Sequence, residues 1–295
     1  MNKPRALVVL GPTGSGKTSL AIDLAKKHNG EIISADSRQV YAGMNIGTAK
    51  PTPAFSDITH SHMTADIVEG VSHYLFNIAK PDTPLSLSDW QSMAKEVLSD
   101  IVSRGKTPII AGGTMLYIDS IVRNYTIPEV APDPEYREGL EAQDTKTLYA
   151  LLLEKDAPAQ AFIEPHNKRR IIRALEVIKA TGKPFSELRE TKESPYEFEL
   201  TGIFPGWEIM QERMQIRTEK MFADRLVEET QKLRDEFGDI SLLHTMNYAQ
   251  ALDILNQEKN TAEAILEAVR VQMRYAHKQM SWWKGREEIN WVNTK

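Results

Sequence analysis

The glycine-rich segment at residues 11–18 (GPTGSGKT) determines how the first part of the chain must fold. It follows the apolar, β-branched run 6–10, typical of a buried parallel strand, and precedes a helical pattern over 18–27. A strand, a glycine-rich loop and a helix in this order form a P-loop, whose backbone N–H groups and helix N-terminus bind phosphate oxygens. We therefore predict a diphosphate or nucleotide site formed by Gly11, Pro12, Thr13, Gly14, Ser15, Gly16, Lys17 and Thr18.

Two side chains of this loop carry their own chemistry. Lys17 supplies a positive charge for phosphate oxygens, and the Thr18 hydroxyl is a candidate ligand for Mg²⁺. The pattern does not identify the molecule to which the phosphates belong, since a diphosphate on any substrate fits the same loop.

Strand and helix patterns alternate through the first 118 residues. Further strands are predicted at 31–35, 74–78 and 108–111, with a long amphipathic helix over 87–104. This alternation indicates an α/β fold with a parallel, P-loop NTPase-like sheet core. We predict three parts, a core over 1–118, a helical insertion domain over 119–200, and a mainly helical return to the core over 201–295.

Composition excludes several classes of site and protein. The chain has no cysteine, so disulfides, thiolate nucleophiles and cysteine-ligated metals are excluded. The 36 Lys and Arg residues against 41 Asp and Glu residues give a net charge of −5, which argues against a broad basic surface that coats nucleic acid. No apolar run approaches the roughly 18 residues that span a bilayer, so we expect a cytoplasmic protein without a membrane partner.

Polar residues follow two of the predicted strands. Asp36 comes directly after strand 31–35, and Thr114 follows the glycines after strand 108–111. Ligands of open α/β sheets bind at the carboxyl ends of the strands, so both side chains are expected beside the P-loop. From position alone, a catalytic base is as consistent with Asp36 as the two alternatives taken together, a helix cap or an acid near the metal.

Several segments in order resemble the tRNA dimethylallyltransferases, also called tRNA isopentenyltransferases, of the bacterial type without a zinc finger. The resemblance spans nearly the whole chain. It is carried by residues 11–18, 36–41 (DSRQVY), 44–51 (MNIGTAKP), 112–117 (GGTMLY), 133–137 (DPEYR) and 169–176 (RRIIRALE), together with Arg213 and Arg217.

The resemblance implies a reaction and its catalytic residues. A dimethylallyl group would pass from dimethylallyl diphosphate to the exocyclic amine of the adenosine on the 3′ side of the anticodon of a tRNA. Asp36 matches the family's proposed base, and Thr114 its residue at the reaction channel. Lys17, Arg217 and a Mg²⁺ ion on Thr18 would stabilise the leaving diphosphate.

The resemblance also implies the surface that contacts the tRNA anticodon stem–loop. The target base must leave its stack to reach the site, and the Gln39 amide could pair with an adenine edge, although a solvated turn residue is equally consistent. The protein is expected to act as a monomer. The implied tRNA-binding residues are Asp36, Ser37, Arg38, Gln39, Thr114, Arg137, Arg169, Arg170, Ile171, Ile172 and Arg173.

Two alternatives belong to other functional classes. A P-loop kinase for a small metabolite would share the fold and the phosphate site, and it predicts phosphoryl transfer from a nucleotide. A non-catalytic RNA-binding protein could retain the P-loop without using it, but the intact Lys17, Thr18, Asp36 and Thr114 argue against this.

Overall fold

Strand β1 (Arg5–Leu10) lies inside the sheet of the computed structural model, which describes residues 3–58, 64–128, 130–131, 133–188 and 192–292. Successive β1 side chains enter opposite layers, as the pleat of a strand requires. Ala6, Val8 and Leu10 belong to the larger hydrophobic cluster, whereas Leu7 and Val9 pack with the helix that follows the P-loop. The apolar run therefore forms a strand buried on both faces.

Eight strands form one sheet within the described residues. Their spatial order is β3 (Phe55–Ile58), β4 (Thr64–Val68), β5 (Val71–Tyr74), β2 (Gly30–Ser34), β6 (Thr107–Gly112), β1, β7 (Glu197–Ile203) and β8 (Ile289–Val292). The six strands from β5 to β8 in this order pair in parallel. Strands β3 and β4 pair antiparallel and extend the β5 edge. The parallel P-loop core is confirmed, with an antiparallel extension that the sequence patterns did not predict.

The strand predicted over 74–78 is wrong in its position. The observed strand β5 ends at Tyr74, where the prediction began. Leu75 and Asn77 have φ angles of 67° and 55°, in the left-handed region that interrupts an extended chain. The apolar residues of this stretch are buried in a loop, which a hydrophobicity pattern does not distinguish from a short buried strand.

Ten α-helices accompany the sheet in the described parts of the chain. They are α1 (Lys17–His28), α2 (Leu87–Ser103), α3 (Met115–Val122), α4 (Pro134–Glu141), α5 (Thr145–Lys155), α6 (Lys168–Thr181), α7 (Trp207–Ala223), α8 (Leu226–Phe237), α9 (Tyr248–Leu255) and α10 (Thr261–Trp283). Helix α2 shows how they are specified. Ser86 and Asp89 form a capping box at its start, and Trp90, Val97 and Ile101 bury one face.

The chain divides into two compact units. The larger comprises Met1–Val122 and Pro195–Lys295 and contains the sheet. The smaller comprises Arg123–Ser194 and contains α4, α5 and α6 around its own core, in which Leu148, Leu152 and Ile171 are fully buried. This unit lies inside the insertion predicted over 119–200, because α3 continues to Val122 and β7 begins at Glu197. No helix in the described residues is long and apolar enough to cross a membrane.

Candidate active site

The P-loop connects β1 to α1 through two glycines in left-handed conformations. The φ angles are 82° at Gly14 and 97° at Gly16, which residues with a side chain rarely adopt. Gly16 is the N-cap of α1 and provides no side-chain cap, so the first amides of the helix remain available for an anion. The predicted strand–loop–helix geometry is present.

Lys17 is a partly buried cation without a carboxylate partner in hydrogen-bond contact among the described residues. Its Nζ donates to the Pro12 carbonyl oxygen at 2.8 Å. Burial lowers the pKa of Lys17 to about 8, with the nearby charge of Asp36 raising it and that of Arg217 lowering it further. An anionic ligand that restores the missing negative charge would therefore bind this ammonium group strongly.

Asp36 lies at the carboxyl end of β2 and closes a local turn. One carboxylate oxygen accepts hydrogen bonds from the backbone N–H groups of Arg38 at 2.8 Å and Gln39 at 3.3 Å. The second oxygen makes no hydrogen bond with any described residue, and the side chain lines a cavity. The turn explains the position of the carboxylate but leaves one oxygen available for a ligand or a proton.

Thr114 connects the ends of β2 and β6. Its backbone N–H donates to the Ala35 carbonyl at 3.0 Å, and its hydroxyl accepts from the Ser37 backbone N–H at 2.9 Å. These two bonds hold the segment that carries Asp36 against the loop after β6. Thr114 and Asp36 therefore line the same cavity, as the strand-end rule predicts.

Arg217 lies on α7, far from the P-loop in sequence, and its side chain contacts that loop. Its Nη2 donates to the Thr13 hydroxyl at 3.3 Å and to the Gln272 side-chain oxygen. Burial lowers the pKa of Arg217, and the nearby Asp36 opposes this shift. Arg213, one turn earlier, donates to the Ser15 carbonyl at 3.4 Å. Both arginines contact the P-loop, and only Arg217 lines the cavity.

These groups surround one cavity of about 230 Å³ in the larger unit. Of the residues predicted for the site, the lining contains Thr13, Lys17, Asp36, Ser37, Arg38, Thr114 and Arg217. Gln39 is not part of the lining. Its amide donates to the carbonyls of Thr48 and Ala49 at 3.2 and 3.4 Å, so it supports the neighbouring turn.

Sequence reasoning missed a group of lining residues from α9, α10 and the segment before α9. Gln279 accepts from the Thr13 backbone N–H at 2.8 Å and donates to the Gly113 carbonyl at 2.7 Å, which ties the P-loop to the loop after β6. Burial raises the pKa of Tyr275 to about 12. The available signal was two glutamines spaced seven apart on an amphipathic helix. The missed lining residues are Thr245, Met246, Asn247, Tyr248, Gln272, Tyr275 and Gln279.

The arginines of the smaller unit fall into two groups. Arg137 forms two hydrogen bonds with the buried carboxylate of Glu176, at 2.8 and 2.9 Å, and Arg173 bonds the same carboxylate. Arg169 and Arg170 are exposed and make no ion pair with any described residue. Of these four arginines, Arg137 and Arg173 stabilise the smaller unit, whereas Arg169 and Arg170 are accessible to a ligand.

Ile171 and Ile172 do not fit the predicted tRNA surface. Their side chains are 0% and 3% exposed and belong to the core of the smaller unit. Residues next to each other on a helix point about 100° apart, so a run of five residues cannot all face one ligand. The assignment of these two isoleucines as tRNA contacts is wrong.

Known proteins match almost the entire chain. A family model described as IPP transferase matches residues 39–286, and one described as Isopentenyl transferase matches residues 4–71. The tRNA dimethylallyltransferases of Halalkalibacterium halodurans, Geobacillus thermodenitrificans and Bacillus subtilis are 34%, 37% and 36% identical. These matches cover 98–99% of this chain and 90–91% of the relatives.

Solved structures agree with these relatives. The full-length tRNA isopentenylpyrophosphate transferase from Bacillus halodurans superposes with a TM-score of 0.68 at 33% identity, covering 99% of this chain and 90% of that one. A eukaryotic dimethylallyltransferase acting on tRNA superposes with a TM-score of 0.79 at 23% identity, over 98% of this chain and 74% of that one, and shows the shared fold.

The fold and the matches place the chain among transferases built on a P-loop core. An acidic side chain at the end of the second strand faces the same cavity as the P-loop lysine. With these matches over its full length, the chain belongs to the tRNA dimethylallyltransferase family. The matches do not support the kinase or the non-catalytic RNA-binding alternative.

Proposed function

We propose that this protein transfers the dimethylallyl group of dimethylallyl diphosphate to the exocyclic amine of the adenosine 3′ to the anticodon in tRNA. The amine nitrogen forms a bond to the terminal allylic carbon while the bond from that carbon to oxygen breaks. Diphosphate leaves with the electron pair, and the amine gives up one proton. The products are isopentenyladenosine in the tRNA and free diphosphate.

The donor's diphosphate is assigned to the P-loop. As the carbon–oxygen bond breaks, negative charge grows on the leaving group, and fixed positive groups stabilise that change. Lys17 and Arg217 are suited to this role because each is partly buried and hydrogen-bonded to neutral groups, so its charge is not already neutralised by a carboxylate in contact.

Mg²⁺ is the proposed cofactor, held mainly by the substrate. Mg²⁺ commonly binds through substrate phosphates, water and one or two protein oxygens. The residues fit this pattern, since the Thr18 hydroxyl at the start of α1 is exposed and no cluster of three or more acidic or histidine ligands occurs among the described residues. When bound, Mg²⁺ would neutralise part of the charge of the leaving diphosphate.

Asp36 is the proposed base for the adenosine amine. The amine lone pair is delocalised into the ring, so removal of a proton assists its attack. The free oxygen of Asp36 is available for that proton, and Thr114 fixes the segment that carries it. Tyr275 also lines the cavity and is partly exposed, so its ring offers a flat surface to a base that has left its stack.

Each unit separately contains proposed tRNA contacts. Ser37 and Arg38 line the cavity, and Arg169 and Arg170 are free to contact backbone phosphates. Arg137 and Arg173, by contrast, serve the fold of the smaller unit through Glu176. We further propose that the protein acts as a cytoplasmic monomer.

The observation that carries the proposal is that Asp36, Lys17 and Arg217 line one cavity. The test is incubation of the protein with unmodified tRNA, dimethylallyl diphosphate and Mg²⁺, followed by mass analysis of the nucleosides. One adenosine per tRNA should gain a single C₅H₈ unit, and an Asp36→Asn variant should not produce it. Phosphoryl transfer from ATP to a small metabolite, with no change in the tRNA, would contradict the proposal.

A further inference from the structure

Arg217 is held by neutral partners. Its Nη2 contacts the Thr13 hydroxyl and the side-chain oxygen of Gln272, while its buried Nε has no hydrogen-bond partner among the described residues. A carboxylate at the position of Gln272 would orient the guanidinium equally well but would cancel its charge. A neutral amide orients the group and leaves the charge for a ligand.

The orientation of the Gln272 amide follows from its other contacts. Its Nε2 donates to the Thr218 hydroxyl at 2.7 Å and to the Asn247 side-chain oxygen at 3.0 Å. The Thr218 hydroxyl donates its own hydrogen to the Met214 carbonyl, so it can only accept from Gln272. Gln272 is 1% exposed, and its oxygen must therefore face Arg217.

Asn247 completes the arrangement. It is 5% exposed, and its Nδ2 donates to the Gly47 carbonyl at 2.7 Å, which fixes its oxygen toward Gln272. Consecutive hydrogen bonds thus run from Gly47 through Asn247, Gln272 and Arg217 to Thr13 of the P-loop. All five residues line the cavity.

We infer that Gln272 is a positioning residue, which holds Arg217 against the P-loop in the orientation that binds a diphosphate and is itself oriented by Asn247. This inference rests on the proposed diphosphate site. It assigns a role in diphosphate binding to two buried amides of the cavity lining that act through Arg217. An amide that only filled space in the core would affect folding but not anion affinity.

The test measures binding of inorganic pyrophosphate with Mg²⁺ by titration calorimetry, which requires no transfer activity. Gln272→Met keeps the length of the side chain and removes its hydrogen bonds. We expect pyrophosphate affinity to fall about tenfold, the size of one lost hydrogen bond to a charged group. The matched control is Gln250→Met, since Gln250 is similarly buried at 5% exposure but is not part of the cavity lining. Its affinity should be unchanged.

Two further variants separate positioning from packing. Gln272→Glu restores an acceptor of the same shape but adds a negative charge beside Arg217, so it should bind pyrophosphate more weakly than Gln272→Met. Asn247→Ala should weaken binding about threefold alone and add little to Gln272→Met, because coupled residues are not additive.

The outcomes distinguish this inference from the proposed function. Wild-type affinity in a folded Gln272→Met variant, or full affinity in Gln272→Glu, would overturn the inference alone. Absence of pyrophosphate binding by the wild type would overturn the phosphate site and this inference with it. Binding without transfer to tRNA would leave the inference standing and remove the proposed reaction.

Discussion

The partly buried cations of the larger unit's cavity and the arginines of the smaller unit use their charge in opposite ways. Lys17 and Arg217 contact only neutral hydrogen-bond partners among the described residues, and burial lowers the pKa of each. In the smaller unit, Arg137 and Arg173 share the carboxylate of Glu176, which is 1% exposed. Lys17 and Arg217 are therefore available to an anionic ligand, whereas Arg137 and Arg173 already form ion pairs with a carboxylate of the protein.

The presence or absence of a carboxylate partner indicates which of these cations bind a ligand. Removing a charge from water costs free energy unless an opposite charge compensates it. Cations surrounded by neutral dipoles therefore raise the free energy of the ligand-free protein. A bound diphosphate removes that cost. A cation already paired with a buried carboxylate gains little from a second anion, and its loss affects folding more than binding.

The largest expected effect concerns Asp36, the acid that lines the same cavity as Lys17 and Arg217. Asp36→Asn keeps the oxygen that accepts from the Arg38 N–H, so the local turn should survive. The variant loses the proton acceptor, and single-turnover transfer should slow by about 10²–10⁴-fold, as loss of a general base does. The measurement is the rate of isopentenyladenosine formation at saturating substrates and several Mg²⁺ concentrations. Recovery of the wild-type rate at high Mg²⁺ would assign Asp36 to the metal instead.

Removal of the Lys17 charge should lower the transfer rate nearly as much. Lys17→Met retains the buried stem and removes the charge from the P-loop, so turnover should fall about 10²–10³-fold, comparable to loss of a preorganised group at the leaving charge. Affinity for an anticodon stem–loop, measured by fluorescence anisotropy, should stay close to wild type. An equal loss of RNA affinity would show that the P-loop binds the RNA backbone.

The pH dependence of pyrophosphate affinity tests the role of the Lys17 charge. Because burial lowers the pKa of Lys17 to about 8, its charge is present at pH 7 and is lost as the pH rises through 8. Pyrophosphate affinity should therefore fall by about tenfold for each pH unit above 8, since only the protonated lysine binds the anion well. Pyrophosphate titrates as well, so the ratio of wild-type to Lys17→Met affinity is the quantity to follow. A ratio constant from pH 7 to 9.5 would contradict the assignment.

The sequence predicted the site best where local backbone geometry determines it. The P-loop needs glycines at particular φ angles, and Asp36 and Thr114 follow from the ends of parallel strands. Gln272, Gln279 and Asn247 were not predicted, because a buried glutamine acquires its role only when another element packs against it. The seven-residue spacing of Gln272 and Gln279 places both on one face of α10, but it does not indicate what that face contacts.

In the smaller unit, too, the sequence predicts contacts within a helix better than contacts between helices. Arg169, Arg170 and Arg173 are close in sequence, yet only Arg173 lies three residues before Glu176, the spacing of a helical pair. That spacing was readable from the sequence. The partnership of Arg137 with the same carboxylate was not, since it joins α4 to α6 across 39 positions.

Breaking the paired arrangement should affect stability rather than binding chemistry. Burial alone would raise the pKa of Glu176, but hydrogen bonds from Arg137, the Asp133 N–H and Arg173 outweigh it and lower the pKa. Glu176→Gln should destabilise α4 and α6 by about 1–2 kcal/mol, less than the loss of a fully buried pair because both arginines are partly exposed. Amide hydrogen exchange by mass spectrometry should be faster in residues 133–181 and unchanged in β1.

The pH dependence of that difference has a defined sign. A lowered carboxyl pKa stabilises the fold above the ordinary glutamate value of about 4.3, and the contribution disappears as the pH falls through the lowered value. The exchange difference between wild type and Glu176→Gln should therefore shrink below pH 4. A difference that stays constant to pH 3 would show that the carboxylate charge is not the stabilising feature.

The smallest effect concerns the two arginines that lack an internal anion. If Arg169 and Arg170 each contact one RNA phosphate, replacing both with alanine should reduce the slope of log affinity against log salt by about 1.5. At a fixed moderate salt concentration, anticodon stem–loop affinity should fall only several-fold. The matched control replaces Lys146 and Lys155, two exposed lysines of α5 in the same unit, and removes the same net charge. If both double variants lowered the slope equally, general charge rather than contact by α6 would explain the binding, and Arg169 and Arg170 would be ordinary surface residues.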